Sequence, residues 1–368
     1  MDTFWFPFAV PLNGAKVTYR YELDLSVGGE VYSFACESGM WWWYAAGEIH
    51  CREREAEAHS ALPERPLEGF GTHTPGGSGG VPYVVTSLAD AGPGTLRDAV
   101  AVSNRYITFD VTGTVALASA VSVVGEFITL DGRGSPVTIT AAGALIGPLL
   151  NLRGCNDVVV RNIRIRDNPD VNAGDNLRIW DGAYNVVIDH CSFRRAGDGN
   201  IDISDSAHDI TVQWSILGDT VKNSLIRTGL TNISLHHNLF VAGDERNPQL
   251  DNAEFVDMVN NVIYGWATNY GTRIRNGSTA NVVANYYIPD SGSDVVNTLV
   301  LEPDSGPVYI SGNAIPAGCP VVGTAPVRYA APPVTQMSLS GALAAVLAEA
   351  GCWPRDTDDV AYVAMVEE

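Results

Sequence analysis

The sequence predicts an all-β fold, a parallel β-helix in which short strands wind into a coil. A motif of two short strands with a bend between them repeats from about residue 156 with a period of roughly 23 to 28 residues, which is a solenoid length. The strands are rich in Val, Ile and Thr and are broken by Asn, Asp and Gly, as in parallel sheets wound into a coil. Leucine-rich repeats share the period but need a Leu skeleton and a helical segment, and neither is present. The repeats align on Asn162, His190, Trp214, His237, Asn260, Asn285 and Gly312.

Earlier coils are expected upstream of these repeats. The segments 81–88, 107–117, 121–130 and 137–140 are strand-like. Between them, residues 94–100 have the pattern of a short helix. A helix there would cap the open end of the coil, whose unpaired edge otherwise invites aggregation.

Both ends of the chain differ in character from the repeats. We expect a division into an additional N-terminal β-rich segment (1–62), a catalytic β-helix (63–318) and a C-terminal tail (319–368) with a short helix near 339–350. Within the N-terminal segment, the aromatic run 41–44 fits two roles: a carbohydrate-binding surface, or a hydrophobic patch that packs on the β-helix.

Composition narrows the choice of partner. The chain has 368 residues, 46% of them hydrophobic, with a formal net charge of -20. This charge argues against nucleic acid, since phosphate binding needs clustered Lys and Arg. An acidic protein acting on an acidic polymer should carry a divalent cation that bridges the two sets of carboxylates. We find no apolar run of about 18 residues that would cross a membrane and no signal peptide at the start.

The six cysteines show no zinc or redox spacing. Cys155 and Cys191 lie in strand-like segments and are expected to be buried thiols. Cys319 and Cys352 could form a disulfide. The histidines His190, His236 and His237 are expected to be framework residues, in which polar side chains stacked at the bends satisfy one another.

Several motifs resemble those of the family 1 pectate lyases, over roughly residues 68–315. The segment 187–193 matches the family's "DHCSF" strand, and the segment 236–240 matches its "HHNLF" motif. The "RxP" motif follows at 246–248 and the "NNVIY" motif at 260–264, in the family's order and spacing. The resemblance implies a right-handed parallel β-helix and calcium-dependent, endo-type β-elimination of polygalacturonate to 4,5-unsaturated products.

The resemblance also implies a calcium site. Asp175, Asp198 and Asp202 correspond to the family's calcium aspartates, and we expect them to recur about one coil apart and so to stack. Ala173 stands where many members have another aspartate, and Asp198 where many have glutamate. These departures imply weak calcium binding until the substrate adds its own oxygens.

By the same resemblance, Arg246 corresponds to the catalytic base and Lys222 to a lysine that binds the substrate carboxylate. Arginine normally stays protonated, so this role requires a local field that favours the neutral guanidine. Many members have a further arginine after the "RxP" motif, but residues 249–251 here are Gln, Leu and Asp. The candidates to replace that charge are Arg227, Arg273 and Arg275, with Arg275 preferred.

Two other functions are considered. A polygalacturonase-like hydrolase would carry a set of paired aspartates and further signatures that do not occur together here. A non-catalytic polysaccharide-binding β-helix, such as a virion-associated module, would share the fold without the activity. We expect a monomer that acts outside the cell on pectin, because that is where the substrate is.

Overall fold

The structure is a computed structural model that describes residues 65–143, 147–171, 174–267 and 269–367, together with the backbone of four N-terminal strands. The chain divides into two compact units, Met1–Glu64 and Arg65–Glu368. The predicted division at residues 62 and 318 stays a prediction. Both Ala173 and the side chains of the aromatic run 41–44 lie outside the described residues.

The first unit contains two antiparallel hairpins. The four strands are β1 (Arg20–Val27), β2 (Glu30–Glu37), β3 (Met40–Ala45) and β4 (Glu48–Glu53). β1 pairs with β2, and β3 pairs with β4. The aromatic run lies within β3.

The second unit is a coil with three strands per turn, which we name the first, second and floor series. The first series comprises β5 (Val81–Val85), β6 (Arg105–Phe109), β9 (Glu126–Asp131), β12 (Asn156–Arg161), β15 (Tyr184–Asp189), β18 (His208–Gln213), β22 (Val256–Val259), β25 (Ala280–Val283) and β28 (Val308–Ser311). The second series comprises β7 (Gly113–Leu117), β10 (Val137–Ala141), β13 (Arg164–Asn168), β16 (Ser192–Ala196), β20 (Leu239–Glu245), β23 (Val262–Tyr264) and β26 (Tyr286–Ile288). The floor series comprises β8 (Val121–Val123), β11 (Leu150–Arg153), β14 (Leu177–Trp180), β17 (Gly199–Ile203), β21 (Gln249–Ala253), β24 (Thr272–Arg275) and β27 (Leu299–Leu301). One long strand, β19 (Ile216–His236), runs through all three series in its coil.

Each strand pairs in parallel with the strand of the same series one coil away, as in β12 with β15 and β14 with β17. Inward side chains such as Val160, Ile188 and Val212 are register partners and are fully or almost fully buried. Burial of this continuous apolar column is the main stabilising term. The predicted parallel β-helix is therefore confirmed.

The bend between the first and second series is left-handed in successive coils. Non-glycine residues occupy it at φ values near 50°, including His190 (49°), His237 (54°) and Asn260 (54°). The sequence alignment was wrong by one residue in a later coil, where Ala284 (52°), and not Asn285, occupies the bend. The reason is the next position: Asn285 belongs to a buried amide ladder, because its Oδ1 accepts from Nδ2 of Asn261 at 2.9 Å.

The predicted capping helix is present as α1 (Leu96–Ala99), and its N-cap Thr95 accepts a hydrogen bond from the backbone of Asp98. A 3-10 helix follows the first unit at Phe70–His73. The C-terminal tail contains the predicted helix as α2 (Leu339–Glu349) and a second one, α3 (Thr357–Glu367). In the described part of the chain, no helix has the length and apolar character needed to cross a membrane.

A buried ion cluster docks the start of α3 on the second series. Arg166 of β13 is 2% exposed and binds Asp356 and Asp359, each at 2.5 Å. Arg194 of β16 binds Asp358 at 2.5 Å. The acidic end of the chain is thus a structural element of the coil wall.

One of the two cysteine predictions is confirmed and the other is wrong. Cys155 and Cys191 are buried free thiols, as expected. The proposed disulfide between Cys319 and Cys352 is wrong, because both thiols are free. They lie in different places: the backbone N–H of Cys352 donates to Ser192 of the second series, whereas the thiol of Cys319 donates to the carbonyl of Leu299 on the last floor strand.

Candidate active site

A second asparagine ladder fixes the register where the chain turns into the floor strands. Asn176 donates to Asn200 at 2.7 Å, Asn200 to Asn223 at 3.0 Å, and Asn223 to Asn247 at 2.9 Å. All four side chains are buried. A continuous chain of satisfied amides is costly to break and therefore holds the register of four successive coils.

Each ladder asparagine is preceded by a residue at the same turn of its coil: Asp175, Gly199, Lys222 and Arg246. Gly199 and Lys222 are direct register partners. Three of the residues predicted for the site therefore lie along one edge of the floor series, on coils that follow one another.

The three predicted calcium aspartates converge at this edge. Asp175, Asp198 and Asp202 each offer a carboxylate oxygen, and these oxygens all lie within 4.8 Å of one another. The backbone N–H of Gly199 donates to Asp175 Oδ1 at 3.0 Å, and that of Leu225 donates to Asp202 Oδ1 at 3.1 Å. Two of the carboxylates are thus fixed by backbone donors.

The aspartates do not stack as equivalent positions of neighbouring coils. Because Asn176 is laddered with Asn200, the position equivalent to Asp175 is Gly199, which lies between Asp198 and Asp202 in sequence. A Cβ on Gly199 would lie 2.4 Å from Asp202 Oδ1 and 3.2 Å from Asp175 Oδ1. The missing side chain leaves the space in which the carboxylates meet.

Burial makes this cluster electrostatically costly. Burial, with added repulsion from Asp202 and Asp198, raises the pKa of Asp175 to about 8. Burial raises the pKa of Asp202 to about 6, although the nearby Arg246 guanidinium acts in the opposite direction. Three carboxylates held together against this cost are the arrangement expected for a cation site.

The donor set fits calcium. All three side chains offer oxygen, the ligand type that hard divalent cations prefer, and none offers sulfur or nitrogen. Three carboxylates are fewer than the six to eight oxygens that calcium takes. Water and substrate oxygens would have to complete the shell, in keeping with the expectation of weak binding by the protein alone.

Lys222 joins the cluster from the next coil. Its Nζ donates to Asp198 Oδ1 at 2.7 Å, and the two side chains are 33% and 22% exposed. The ammonium group is therefore close to the aspartates and reachable from the groove. The predicted role of Lys222 in binding the substrate carboxylate stays a prediction.

Arg246 lies one coil further, at a left-handed backbone position with φ of 62°. Its Nε lies 3.7 Å from Glu245 Oε1 and has no hydrogen-bond partner among the described residues. Burial and the negative charge of Glu245 raise the pKa of Tyr270 to about 12, while the charge of Arg246 acts to lower it. The Tyr270 hydroxyl next to Glu245 and Arg246 is therefore neutral. The Arg246 side chain is 17% exposed, and its positive charge acts on Asp202.

The three candidate replacement arginines lie on the floor series but not together. Arg227 is exposed, and its positive charge acts to lower the pKa of Asp202. Arg273 is paired with Glu302. Arg275, the preferred candidate, has its Nε 3.5 Å from Oδ2 of Asp251, its register partner. The charge of Arg275 is therefore partly neutralised by the chain itself.

The histidines lie at the bend between the first and second series, away from this edge. The rings of His190, Trp214 and His237 stack with centroids 6.0 and 4.3 Å apart. His190 Nδ1 is 2.7 Å from Asp189 Oδ1, and His236 Nδ1 is 3.0 Å from His237 Nδ1. These contacts are those of framework residues.

Sequence reasoning missed three residues of the site. Gly199 lies between Asp198 and Asp202 in the sequence, and this position was a usable signal. Glu245 precedes the "RxP" arginine and carried no signal. Tyr270 contacts Gln249 through its hydroxyl from 21 residues away, a contact that only the coil register creates.

Comparisons with known proteins agree with this architecture, although no family profile matches the chain. The chain is 33% identical over 248 residues to the probable pectate lyase C of Aspergillus terreus, covering 64% of this chain and 57% of that protein. It is 35% identical over 167 residues to the probable pectate lyase 4 of Arabidopsis thaliana, covering 43% of this chain and 42% of that protein. The chain thus spans about half the length of these curated relatives.

Solved structures show the same fold. A pectate lyase from Bacillus sp. N165 in complex with trigalacturonate matches with a TM-score of 0.59 at 21% identity, over 77% of this chain and 98% of that one. The cedar pollen allergen jun a 1 matches with a TM-score of 0.66 at 22% identity, over 78% and 92%. The resemblance to pectate lyases that the sequence motifs indicated is confirmed by the named relatives, and the fold by both structures.

Proposed function

We propose that this protein is a calcium-dependent pectate lyase that cleaves polygalacturonate by β-elimination within the chain. The observation that carries the proposal is the placement of three aspartates, a lysine and an arginine on successive coils along one edge of the floor series. The named relatives support the reaction class.

In this reaction the C5–H and C4–O bonds of a galacturonate residue break and a C4=C5 double bond forms. We propose that Arg246 accepts the C5 proton in its neutral guanidine form. Its side chain is 17% exposed, and a cation held by the aspartates would offset the negative charge that otherwise favours the protonated guanidinium. The electron pair released at C5 passes through the adjacent carboxylate and expels the O4 oxygen, which takes up a proton from water, while Arg246 later returns the C5 proton to water. Tyr270, neutral at working pH, is not a competing base.

Lys222 and the floor arginines would hold the substrate carboxylates. Lys222 Nζ is near enough to Asp198 to act on an anion bound at the cluster. Calcium held by Asp175, Asp198 and Asp202 would neutralise the C6 carboxylate and so make the C5 proton more acidic. Arg227, Arg273 and Arg275 lie further along the floor and are proposed to bind neighbouring residues of the polymer.

We further propose that the protein acts as a monomer outside the cell, where pectin is found. Endo-type action is supported by the open arrangement of the floor, since exposed residues such as Arg227 lie along it.

The test is product formation from unesterified polygalacturonate with calcium and then with a chelator. A lyase gives a product whose conjugated double bond absorbs in the ultraviolet, and the chelator abolishes it. A hydrolase would give reducing ends without this absorbance. If wild type bound polygalacturonate but cleaved no uronate polymer with calcium present, the protein would be a non-catalytic polysaccharide-binding β-helix.

A further inference from the structure

Three side chains on the floor series form a cluster that the reaction above does not use. Arg153 lies on β11, and Arg178 and Trp180 lie on β14. Arg178 is the register partner of Asp202, and Arg153 is the register partner of Trp180. Arg178 and Trp180 lie on the same coil as Asp175, and Arg153 lies one coil further toward the N-terminal end of the floor.

The indole ring organises this cluster. Its Nε1–H donates to Asn151 Oδ1 at 2.7 Å, and Asn151 in turn donates to Ser122 on the preceding coil at 3.1 Å. The guanidinium carbons of Arg153 and Arg178 lie 4.7 and 4.4 Å from the ring centroid. Two long side chains that would otherwise be mobile are thus held by cation–π contacts on one fixed ring.

Both guanidinium groups remain available to an anion. Arg153 Nε binds Asp181 at 2.9 Å, with side chains 53% and 55% exposed. Arg178 binds Asp205 at 3.4 Å, with side chains 27% and 40% exposed. Exposed pairs of this kind are weak, so a carboxylate that docks along the floor can replace the aspartate partner.

The charge distribution supports an anionic ligand here. Seven of the 22 basic residues of this chain lie on the floor strands or at their entry: Arg153, Arg178, Lys222, Arg227, Arg246, Arg273 and Arg275. These cations lie on several rows of the floor, and six of them pair with carboxylates of the chain. An anionic polymer would therefore bind here by replacing those carboxylate partners. Val124, just beyond β8, is 67% exposed.

We propose that Arg153, Trp180 and Arg178 form a uronate-binding subsite that extends the groove on the N-terminal side of the aspartate cluster. This inference rests on the proposed function. A sugar residue is about as long as the coil spacing, so two arginines one coil apart match carboxylates of a bound chain, and the planar guanidinium suits paired contacts to them.

The experiment measures binding in the Arg246→Ala background, so that the oligomer is not cut. Isothermal titration calorimetry with calcium present measures the affinity for hexagalacturonate and for its methyl ester. The proteins compared are the Arg246→Ala parent and the parent with Arg153→Gln or Arg178→Gln added. Each Gln variant should bind the acidic hexamer about tenfold more weakly, which is the loss expected for one charge-assisted contact. Binding of the methyl ester should stay unchanged, because it offers no carboxylate.

Arg195→Gln is the matched control. Arg195 forms a similar exposed ion pair, with Asp219 at 2.7 Å, but on the second series. It should bind the hexamer as the parent does. Trp180→Ala, which releases both guanidinium groups, should weaken hexamer binding even though both charges remain.

The outcomes separate the two claims. If the parent binds the hexamer and both Gln variants bind it within twofold of the parent, the subsite does not exist while the proposed function stands. If the parent binds no uronate oligomer, the proposed function fails and the subsite with it. Equal weakening by Arg195→Gln would also overturn the subsite, since the effect would then be one of net charge.

Discussion

A side chain at position 199 would clash with Asp202, because a Cβ built on Gly199 would lie 2.4 Å from Asp202 Oδ1. That oxygen also accepts a hydrogen bond from the backbone of Leu225 at 3.1 Å. Asp202 could therefore make room only by giving up the contact that fixes it. The absence of a side chain at residue 199 is as much a part of the acidic cluster as the carboxylates are.

Gly199→Ala is therefore expected to weaken calcium binding at least about tenfold while the coil stays folded, since the clash falls on one carboxylate and not on the apolar column. Isothermal titration with calcium would measure the affinity and circular dichroism the fold. Gly79→Ala is the control, because a Cβ there meets nothing within 4 Å. Calcium affinity unchanged in Gly199→Ala would show that the cluster is not the cation site.

Replacing Arg246 tests the base. We expect Arg246→Ala to lower kcat about 10²–10⁴-fold with a small change in KM, as for loss of a general base. Arg246→Lys should also be impaired, because an ammonium group cannot reproduce the planar guanidinium. Arg195→Ala removes an equal charge from the second series and should keep wild-type kcat. If Arg246→Ala kept most of the activity, the general base would have to be another residue.

The sequence predicted the coil well because its signal is local and repeated. Val- and Ile-rich strands with polar bends recur so regularly that the strand segments follow from their spacing. The candidate site aspartates came from the resemblance of the motifs to a known family. The register of a single coil is less secure. Asn260 and Asn261 are adjacent amides, and only the ladder shows that Asn285 is equivalent to the second.

Contacts between distant parts of the chain could not be predicted. The docking of α3 depends on Arg166 meeting Asp359, which is 193 residues away. The pairing of Tyr270 with Gln249 depends on the lengths of the intervening turns. Such contacts arise from tertiary packing and have no periodic signature in the sequence.

The ion cluster at α3 predicts a large stability effect. Arg166→Ala would leave Asp359, which is fully buried, without its partner at 2.5 Å and, among the described residues, with only Ser192 at 2.9 Å and Arg164 at 3.6 Å. It should destabilise the fold by about 3 kcal/mol, the lower end of the range for a broken buried ion pair. Urea unfolding would measure this, with Arg195→Ala expected within about 0.5 kcal/mol of wild type.

The paired replacement Arg166→Met with Asp359→Leu should recover much of that loss, since an apolar pair of similar volume needs no charge partner. If the single and paired variants were equally unstable, packing rather than an unpaired charge would be the cause.

The neighbouring histidines predict how stability depends on pH. Burial lowers the pKa of His236 to about 4, and burial with repulsion from His236 and Arg65 lowers that of His237 to about 3. Both are neutral when folded and protonate near pH 6.5 when unfolded, so their stabilisation is complete above that pH. It is lost as the pH falls toward 4 and 3, by about 1.4 kcal/mol per pH unit for each histidine.

The variant His236→Gln with His237→Asn tests this, because the coil already uses both replacements. Gln213 is the register partner of His236, and Asn260 occupies the bend equivalent to His237 with φ of 54°. Between pH 6.5 and about 4, the free energy of unfolding should fall less steeply in this variant than in wild type. His73→Gln, at an exposed position, should keep the wild-type slope. Identical slopes in wild type and the double variant would mean that other groups cause the acid sensitivity.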